Sequence, residues 1–163
     1  MRYRRIAKEI YCWVMAILCV GLVCLGWYMV GLTFYDRWYH DSLMLHKSFG
    51  MVVLLLVLAK GGWTLYAGVE RSSSPEKPLN RKYTHITFYL LMAVITVSGY
   101  FISTSAGAPI SMFGLFGMPA IVAVSDAVRD VAIGVHYYLS YGTVFLAMLH
   151  GVVRLKPRVM ARR

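Results

Sequence analysis

Charged residues are scarce in this chain. Only 15% of its 163 residues are Asp, Glu, Lys or Arg, whereas 59% are hydrophobic. Soluble domains are about one quarter charged, so this composition excludes an ordinary soluble globule. The net charge of +10 does not indicate nucleic-acid binding, because the basic residues stand in short clusters between long apolar runs. We therefore interpret the chain as an integral membrane protein in contact with lipid.

A disulfide framework is also missing. The three cysteines, Cys12, Cys19 and Cys24, all fall within the first apolar run, so none can join two outward-facing loops. We expect Cys19 and Cys24 to behave as small buried hydrophobic side chains.

Four long apolar runs make up most of the sequence, at about 10–33, 43–69, 83–103 and 131–153. Each has the roughly 20 residues that a helix needs to cross about 30 Å of hydrocarbon. None alternates polar and apolar residues as membrane strands do. The runs predict an all-α fold, a four-helix membrane bundle that forms a single domain over residues 1–163. The first run is too long for a signal peptide and is expected to be retained.

Lysine and arginine are unevenly distributed around these runs. Four precede the first run, four surround the second connection and five follow the fourth run, whereas the first and third connections hold two and one. Positive residues accumulate on the cytoplasmic side of membranes. The pattern predicts that both termini lie in the cytoplasm (N-in/C-in) and that the first and third connections face outward.

The third connection is long, apolar and interrupted by Pro109 and Pro119. Unstructured loops of this length are uncommon and are often functional. We predict that residues 104–124 form a cap on the outer membrane face. This cap either forms one wall of a binding pocket or merely packs over the helix ends. The second connection, 71–82, has the composition of a polar linker.

Histidines occur at two expected depths. Ionisable residues in membrane spans are costly and usually functional. His136 and His150 are 14 residues apart on the fourth run, which places them about 40° apart on one helix face and about 21 Å apart in height. His46 is expected at the outer depth of His136. His85 and Cys12 are expected near the inner depth of His150.

Two histidines on facing bundle helices are a common way to hold a b-type haem. Gly50, one turn beyond His46, would leave room for the flat macrocycle. A single buried histidine is more often a hydrogen-bond partner between helices, but histidines at two matched depths favour haem. Zinc is a weaker competitor, because closely spaced ligand pairs are missing. The absence of a Cys-x-x-Cys-His sequence excludes a c-type haem, and we interpret His40 as an interfacial loop residue.

Lys60 lies 14 residues after His46, on the same helix face and about 21 Å deeper. Two interpretations stay open. The side chain either extends to the cytoplasmic surface or serves as the counter-ion of an inner haem propionate.

Several short segments, taken together and in order, resemble the bacterial cytochrome b561 family of four-helix membrane haem proteins. The resemblance covers about residues 12–156. The matching segments are Trp38-Tyr39-His40, Leu45-His46-Lys47-Ser48, His85-x-x-x-Tyr89-Leu90-Leu91, Ser98-Gly99-Tyr100, Ile102-Ser103-Thr104, Pro109-Ile110-Ser111, His136 and His150-Gly151.

The resemblance implies an outer haem b held by His46 and His136. In such proteins the inner haem uses the second histidine of the fourth helix, here His150, and a histidine of a His-Trp pair on the first helix. This chain has Tyr11-Cys12-Trp13 at that place. Three arrangements stay open: His150 with His85, His150 with a Cys12 thiolate, or no inner haem.

The resemblance also implies a function. Some members of the family are superoxide:ubiquinone oxidoreductases of the bacterial inner membrane, so we expect this location and electron transfer between the periplasmic face and ubiquinone. The cap of residues 104–124 would then form one wall of a quinone pocket. Lys47 and Arg129 could attract a small anion at that face. The alternative is a non-catalytic haem-bearing membrane anchor that relays electrons for a periplasmic or membrane redox partner. A bundle without any cofactor is a third interpretation.

Overall fold

Four helices make up most of the protein in the computed structural model, which describes residues 2–69 and 79–160. They are α1 (Arg2–Val30), α2 (Tyr39–Val69), α3 (Leu79–Thr104) and α4 (Asp126–Met160). Each contains a stretch that is long and apolar enough to cross a membrane. The predicted four-helix membrane fold is therefore confirmed, and the N-in/C-in orientation stays a prediction.

Most of the helices extend beyond the apolar runs. α3 begins at Leu79 instead of 83, so the described end of the expected linker is helical, and α4 continues to Met160 instead of 153. Hydropathy marks the part of a helix that lies in hydrocarbon, whereas backbone hydrogen bonding continues into the polar flanks. His40 likewise belongs to the first turn of α2 rather than to a loop, and its ring packs against Phe34 with 5.0 Å between ring centres.

α1 ends at Val30, earlier than its apolar run. A tight turn follows, in which the backbone N–H and the hydroxyl of Thr33 both donate to the Asp36 carboxylate, at 2.6 and 2.7 Å. These two bonds favour the ionised carboxylate and hold the pKa of Asp36 below its usual value. The turn therefore fixes the first outer connection before α2 begins.

The third connection contains a β-hairpin, which the all-α expectation missed. β1 (Ile110–Met112) pairs antiparallel with β2 (Phe116–Met118), and Ser111 lies opposite Gly117. The turn has positive φ at both central residues, 52° at Phe113 and 74° at Gly114, and the Leu115 N–H donates to the Met112 carbonyl at 2.9 Å. This is a type I′ turn, whose twist matches that of paired strands.

The hairpin is attached to α2 through Ser48, a side chain with 0% exposure. The Ser48 hydroxyl accepts a hydrogen bond from the Phe113 N–H at 2.9 Å and donates one to the Ser111 carbonyl at 3.2 Å. The Phe113 ring also meets the Phe49 ring at a centre-to-centre distance of 5.1 Å. These contacts stabilise Phe113 in a backbone conformation that non-glycine residues rarely adopt.

Tyr100 of α3 fixes the segment after the hairpin. Its hydroxyl accepts a hydrogen bond from the Ile121 N–H at 2.7 Å and donates one to the Pro119 carbonyl at 3.4 Å. The predicted cap is therefore an ordered structure that is bonded to two helices.

Two apolar clusters form the interior. One cluster joins α2 to the hairpin, and its buried members are Met51, Leu54, Ile110 and Met112. The other joins α1, α2 and α3, and its buried members are Met15, Val53 and Val57. Most other large apolar side chains of the helices face outward, as expected for helices surrounded by lipid. Cys24 is one such exposed residue, so its expected burial is wrong, while Cys19 is half-buried and its Sγ lies 3.3 Å from the Met92 Sδ.

The Ser48 attachment can be tested by Ser48→Ala. This change removes the partner of the half-buried Phe113 N–H and of the Ser111 carbonyl, and the loss of the two hydrogen bonds costs about 1–3 kcal/mol. We expect a lower Tm in detergent and faster proteolysis at the hairpin. Ser42→Ala is the matched control, because the buried Ser42 hydroxyl bonds only to the Tyr39 carbonyl of its own helix. Equal effects of the two changes would contradict a specific role for Ser48.

Candidate functional site

His46 of α2 and His136 of α4 face each other inside the bundle. Their ring centres are 6.1 Å apart, and the ring planes make an angle of 72°. Two imidazoles that bind one metal ion from opposite sides, with metal–nitrogen distances of about 2 Å, have ring centres about 6 Å apart. The pair predicted from the sequence is therefore brought together at a separation that suits a shared metal ion.

The orientation of His136 is fixed by α3. Its Nδ1 lies 2.8 Å from the Ile95 carbonyl oxygen and 3.3 Å from the Ser98 hydroxyl. The Ser98 hydroxyl donates to the same Ile95 carbonyl at 2.8 Å. Because a carbonyl only accepts hydrogen bonds, Nδ1 carries the hydrogen, and the lone pair is left on Nε2. A backbone carbonyl that binds one ring nitrogen while the other is free is the usual arrangement of a metal-binding histidine.

His46 has an unsatisfied polar atom. Its Nδ1 is buried and has no partner in hydrogen-bonding geometry among the described residues, although a backbone group of Leu22 lies near the ring. Buried polar atoms are nearly always paired, and an exception calls for an explanation. A group bound at this histidine would supply that explanation.

Two glycines of the flanking helices make room for the rings. A Cβ atom at Gly26 of α1 would lie 3.2 Å from the His46 Cε1, and one at Gly99 of α3 would lie 3.0 Å from the His136 Cε1. At Gly50 a Cβ atom would meet nothing within 4 Å. Gly26 and Gly99 therefore allow close approach to the histidines, whereas Gly50 borders the open space predicted for a macrocycle.

The set of donors suits haem better than zinc. Among the described residues, no group of three or more His, Cys, Asp or Glu side chains could hold a metal ion. Structural zinc sites use four protein ligands and catalytic ones three. A haem iron takes four nitrogens from its macrocycle and needs two axial ligands, which is what His46 and His136 offer.

The inner residues are less closely assembled. His150 is half-buried, and its ring centre lies 6.2 Å from that of Phe88 on α3. Cys12 is exposed on α1, and Lys60 is half-buried on α2. The backbone of His85 belongs to α3, but its side chain lies outside the described residues. The inner ligand set and the role of Lys60 therefore stay proposals.

Sequence reasoning missed the residues that orient the histidines. Ile95 acts through its carbonyl, which any residue type carries, so no sequence signal could have identified it. Gly26 and Gly99 did leave a signal. Each lies in the interior of an apolar helix, where glycine costs roughly 0.5–1 kcal/mol relative to alanine and therefore suggests a packing reason.

Comparison with known proteins agrees with this site. A family model described as prokaryotic cytochrome b561 matches residues 10–162. The chain is also similar to cytochrome b561 homolog 2 of Escherichia coli strain K12, with 39% identity over 147 residues that cover 88% of this chain and 78% of the relative. The chain therefore belongs to the prokaryotic cytochrome b561 family, whose members are membrane proteins that transfer electrons through b-type haem.

Proposed function

We propose that this protein carries single electrons between a donor at the periplasmic face and ubiquinone in the membrane, through an outer haem b held by His46 and His136. The observation that carries the proposal is the facing pair of imidazoles at 6.1 Å. A b-type haem supplies reversible one-electron chemistry when it is bound there. The protein supplies its ligands, its orientation and its surroundings.

The chain's own groups have defined tasks in this proposal. The Ile95 carbonyl holds the Nδ1 hydrogen of His136, which would leave Nε2 to bind a haem iron and would make the ring a more basic ligand. Gly26 and Gly99 set how close the rings approach their neighbouring helices. The hairpin, bonded to α2 through Ser48, keeps the outer end of the bundle ordered.

Superoxide is the donor that the resemblance suggests, and the balance of the reaction is simple. Two superoxide anions give up one electron each and become dioxygen, while ubiquinone takes up two electrons and two protons and becomes ubiquinol. Arg129 contributes little to attracting the anion, because its guanidinium binds Asp126 at 3.0 Å and Asp130 at 3.1 Å. The exposed apolar side chains of the cap, Leu115 and Phe116, favour a lipid-soluble acceptor next to it.

The proposal leaves three alternatives for an inner haem: axial ligation by His150 and His85, axial ligation by His150 and Cys12, or no inner haem. Without an inner haem, electron transfer is confined to the outer haem and a nearby quinone. In that case protons rather than electrons cross the bilayer. Lys60 would pair with a propionate where an inner haem is present.

The function can be tested with the purified protein in detergent, supplied with a superoxide source and a soluble ubiquinone analogue. We expect ubiquinol to form at one molecule per two superoxide anions, and His136→Ala to abolish the reaction. A haem-loaded protein that becomes reduced but forms no ubiquinol unless a partner is added would instead support the membrane anchor.

The ligand assignment can be tested by counting haems with a pyridine haemochrome assay. His46→Ala and His136→Ala should each remove the outer haem, because the iron loses an axial ligand. His40→Ala is the control, since that ring is exposed at the start of α2. A haem that persists in both ligand variants would disprove the assignment. A second haem that disappears in His150→Ala would establish the inner site.

The close approach at α3 can be tested by Gly99→Ala. The new Cβ atom would lie 3.0 Å from the His136 Cε1, so the ring must shift by about a few tenths of an ångström from its position at the Ile95 carbonyl. We expect at least a twofold loss of bound haem or a shifted absorbance band in what remains. Gly134→Ala on α4 is the control, because a Cβ atom there meets nothing within 4 Å. Alanine is a better helix former than glycine by about 1 kcal/mol, so a loss of haem could not result from a weakened α3. Unchanged haem binding in Gly99→Ala would refute the steric argument.

A further inference from the structure

The positive charges near the outer end of the bundle differ in what surrounds them. Arg129 lies between Asp126 and Asp130. The Arg37 guanidinium lies 5.6 Å from the centre of the Trp38 ring and is exposed. Lys47 is half-buried, and its ammonium has no hydrogen-bond or ion-pair partner within the part of the chain that the structure describes. Arg37 and Lys47 both lack a counter-ion among the described residues, but only Lys47 is partly buried.

The described carboxylates do not supply one. Asp126 and Asp130 bind Arg129, and Asp36 accepts two hydrogen bonds from Thr33. Asp41 is exposed in the first turn of α2, where the helix dipole stabilises a negative charge. A partly buried cation is costly without an anion, so Lys47 calls for a negative group that the described chain does not provide.

The position of Lys47 indicates what that group is. It directly follows His46, so it lies about 100° around α2 from the proposed axial ligand and about 1.5 Å along the axis. Side chains of a helix lean towards its N-terminus, which for α2 is the outer end in the predicted orientation. A haem b carries two propionate carboxylates on one edge of its ring. An edge directed to the outer surface would place these carboxylates at the level that the Lys47 side chain reaches.

We infer that Lys47 is the counter-ion of a propionate of the outer haem, and that its charge helps to set the reduction potential of that haem. The inference rests on the proposed outer haem site. A nearby positive charge favours the reduced iron, which carries one positive charge fewer than the oxidised iron. Removal of the charge should therefore lower the potential without removing either axial ligand.

The test is a redox titration of the haem-loaded protein, followed at the haem absorbance bands, for Lys47→Gln. We expect the equilibrium constant for reduction of the outer haem to fall about three- to tenfold, where tenfold corresponds to about 59 mV for one electron. Lys47→Arg keeps the charge and should titrate like the wild type. Arg37→Gln removes the same charge from the same end of the bundle and should leave the potential unchanged.

Each other outcome decides the matter as well. An unchanged potential in a fully loaded Lys47→Gln protein would overturn the inference, as would an equal shift in Arg37→Gln. A slower reduction by the anion dithionite without a change in potential would indicate a site for a diffusing anion and overturn the propionate assignment. Loss of haem in Lys47→Gln but not in Lys47→Arg would support the inference, because haem binding would then require the positive charge. Loss of haem in both variants would indicate that Lys47 acts through its packing and would overturn the inference.

Haem dimethyl ester provides a second, independent arm, because its propionates carry no charge. In protein loaded with the ester, the difference in potential between the wild type and Lys47→Gln should shrink. An undiminished difference would show that Lys47 acts without a propionate. A wild-type protein that binds no haem would instead refute the proposed function itself, so the two failures are distinguishable.

Discussion

The facing imidazoles of His46 and His136 impose the strictest requirement on this molecule. Each ring brings two polar nitrogens into an apolar bundle, where an unpaired polar atom is costly. One nitrogen of His136 is satisfied by the Ile95 carbonyl, and the Nδ1 of His46 is buried without a partner in hydrogen-bonding geometry among the described residues. Two imidazoles held 6.1 Å apart in such surroundings suit a group that binds both histidines at once.

Around the two histidines, the neighbouring helices make room for the rings instead of filling the space with large apolar side chains. Gly26 and Gly99 bring the backbones of α1 and α3 close to the rings, and Gly50 leaves open space beside them. The interior apolar clusters lie elsewhere, between α2 and the hairpin and among the first three helices. The bundle thus combines packed regions with a region whose contacts would come from the bound cofactor.

Sequence reasoning found the helices and the histidine pair because both rest on simple periodicities. Apolar length locates membrane spans, and the positions of His46 and His136 near the starts of the second and fourth spans place both at a similar depth. The hairpin was missed because its strands contain only three residues each. Its turn also has Phe113 at a positive φ, a position where glycine or asparagine would normally indicate a type I′ turn. The role of Ser48 could not be read from the chain either, because its partners Ser111 and Phe113 are distant in sequence.

The inner half of the bundle follows a different plan from the outer half. Next to Cys12, the Tyr11 hydroxyl donates to the Leu56 carbonyl at 3.1 Å, and the Tyr11 ring packs 6.3 Å from that of Tyr89. A tyrosine therefore joins three helices beside the place where the family's first-helix histidine would stand. Two imidazoles face each other at the level of His46 and His136, whereas the described ring contact of His150 is with Phe88. Among the described side chains, the structure therefore assembles a facing histidine pair at one level of the bundle and a tyrosine contact between three helices at the other.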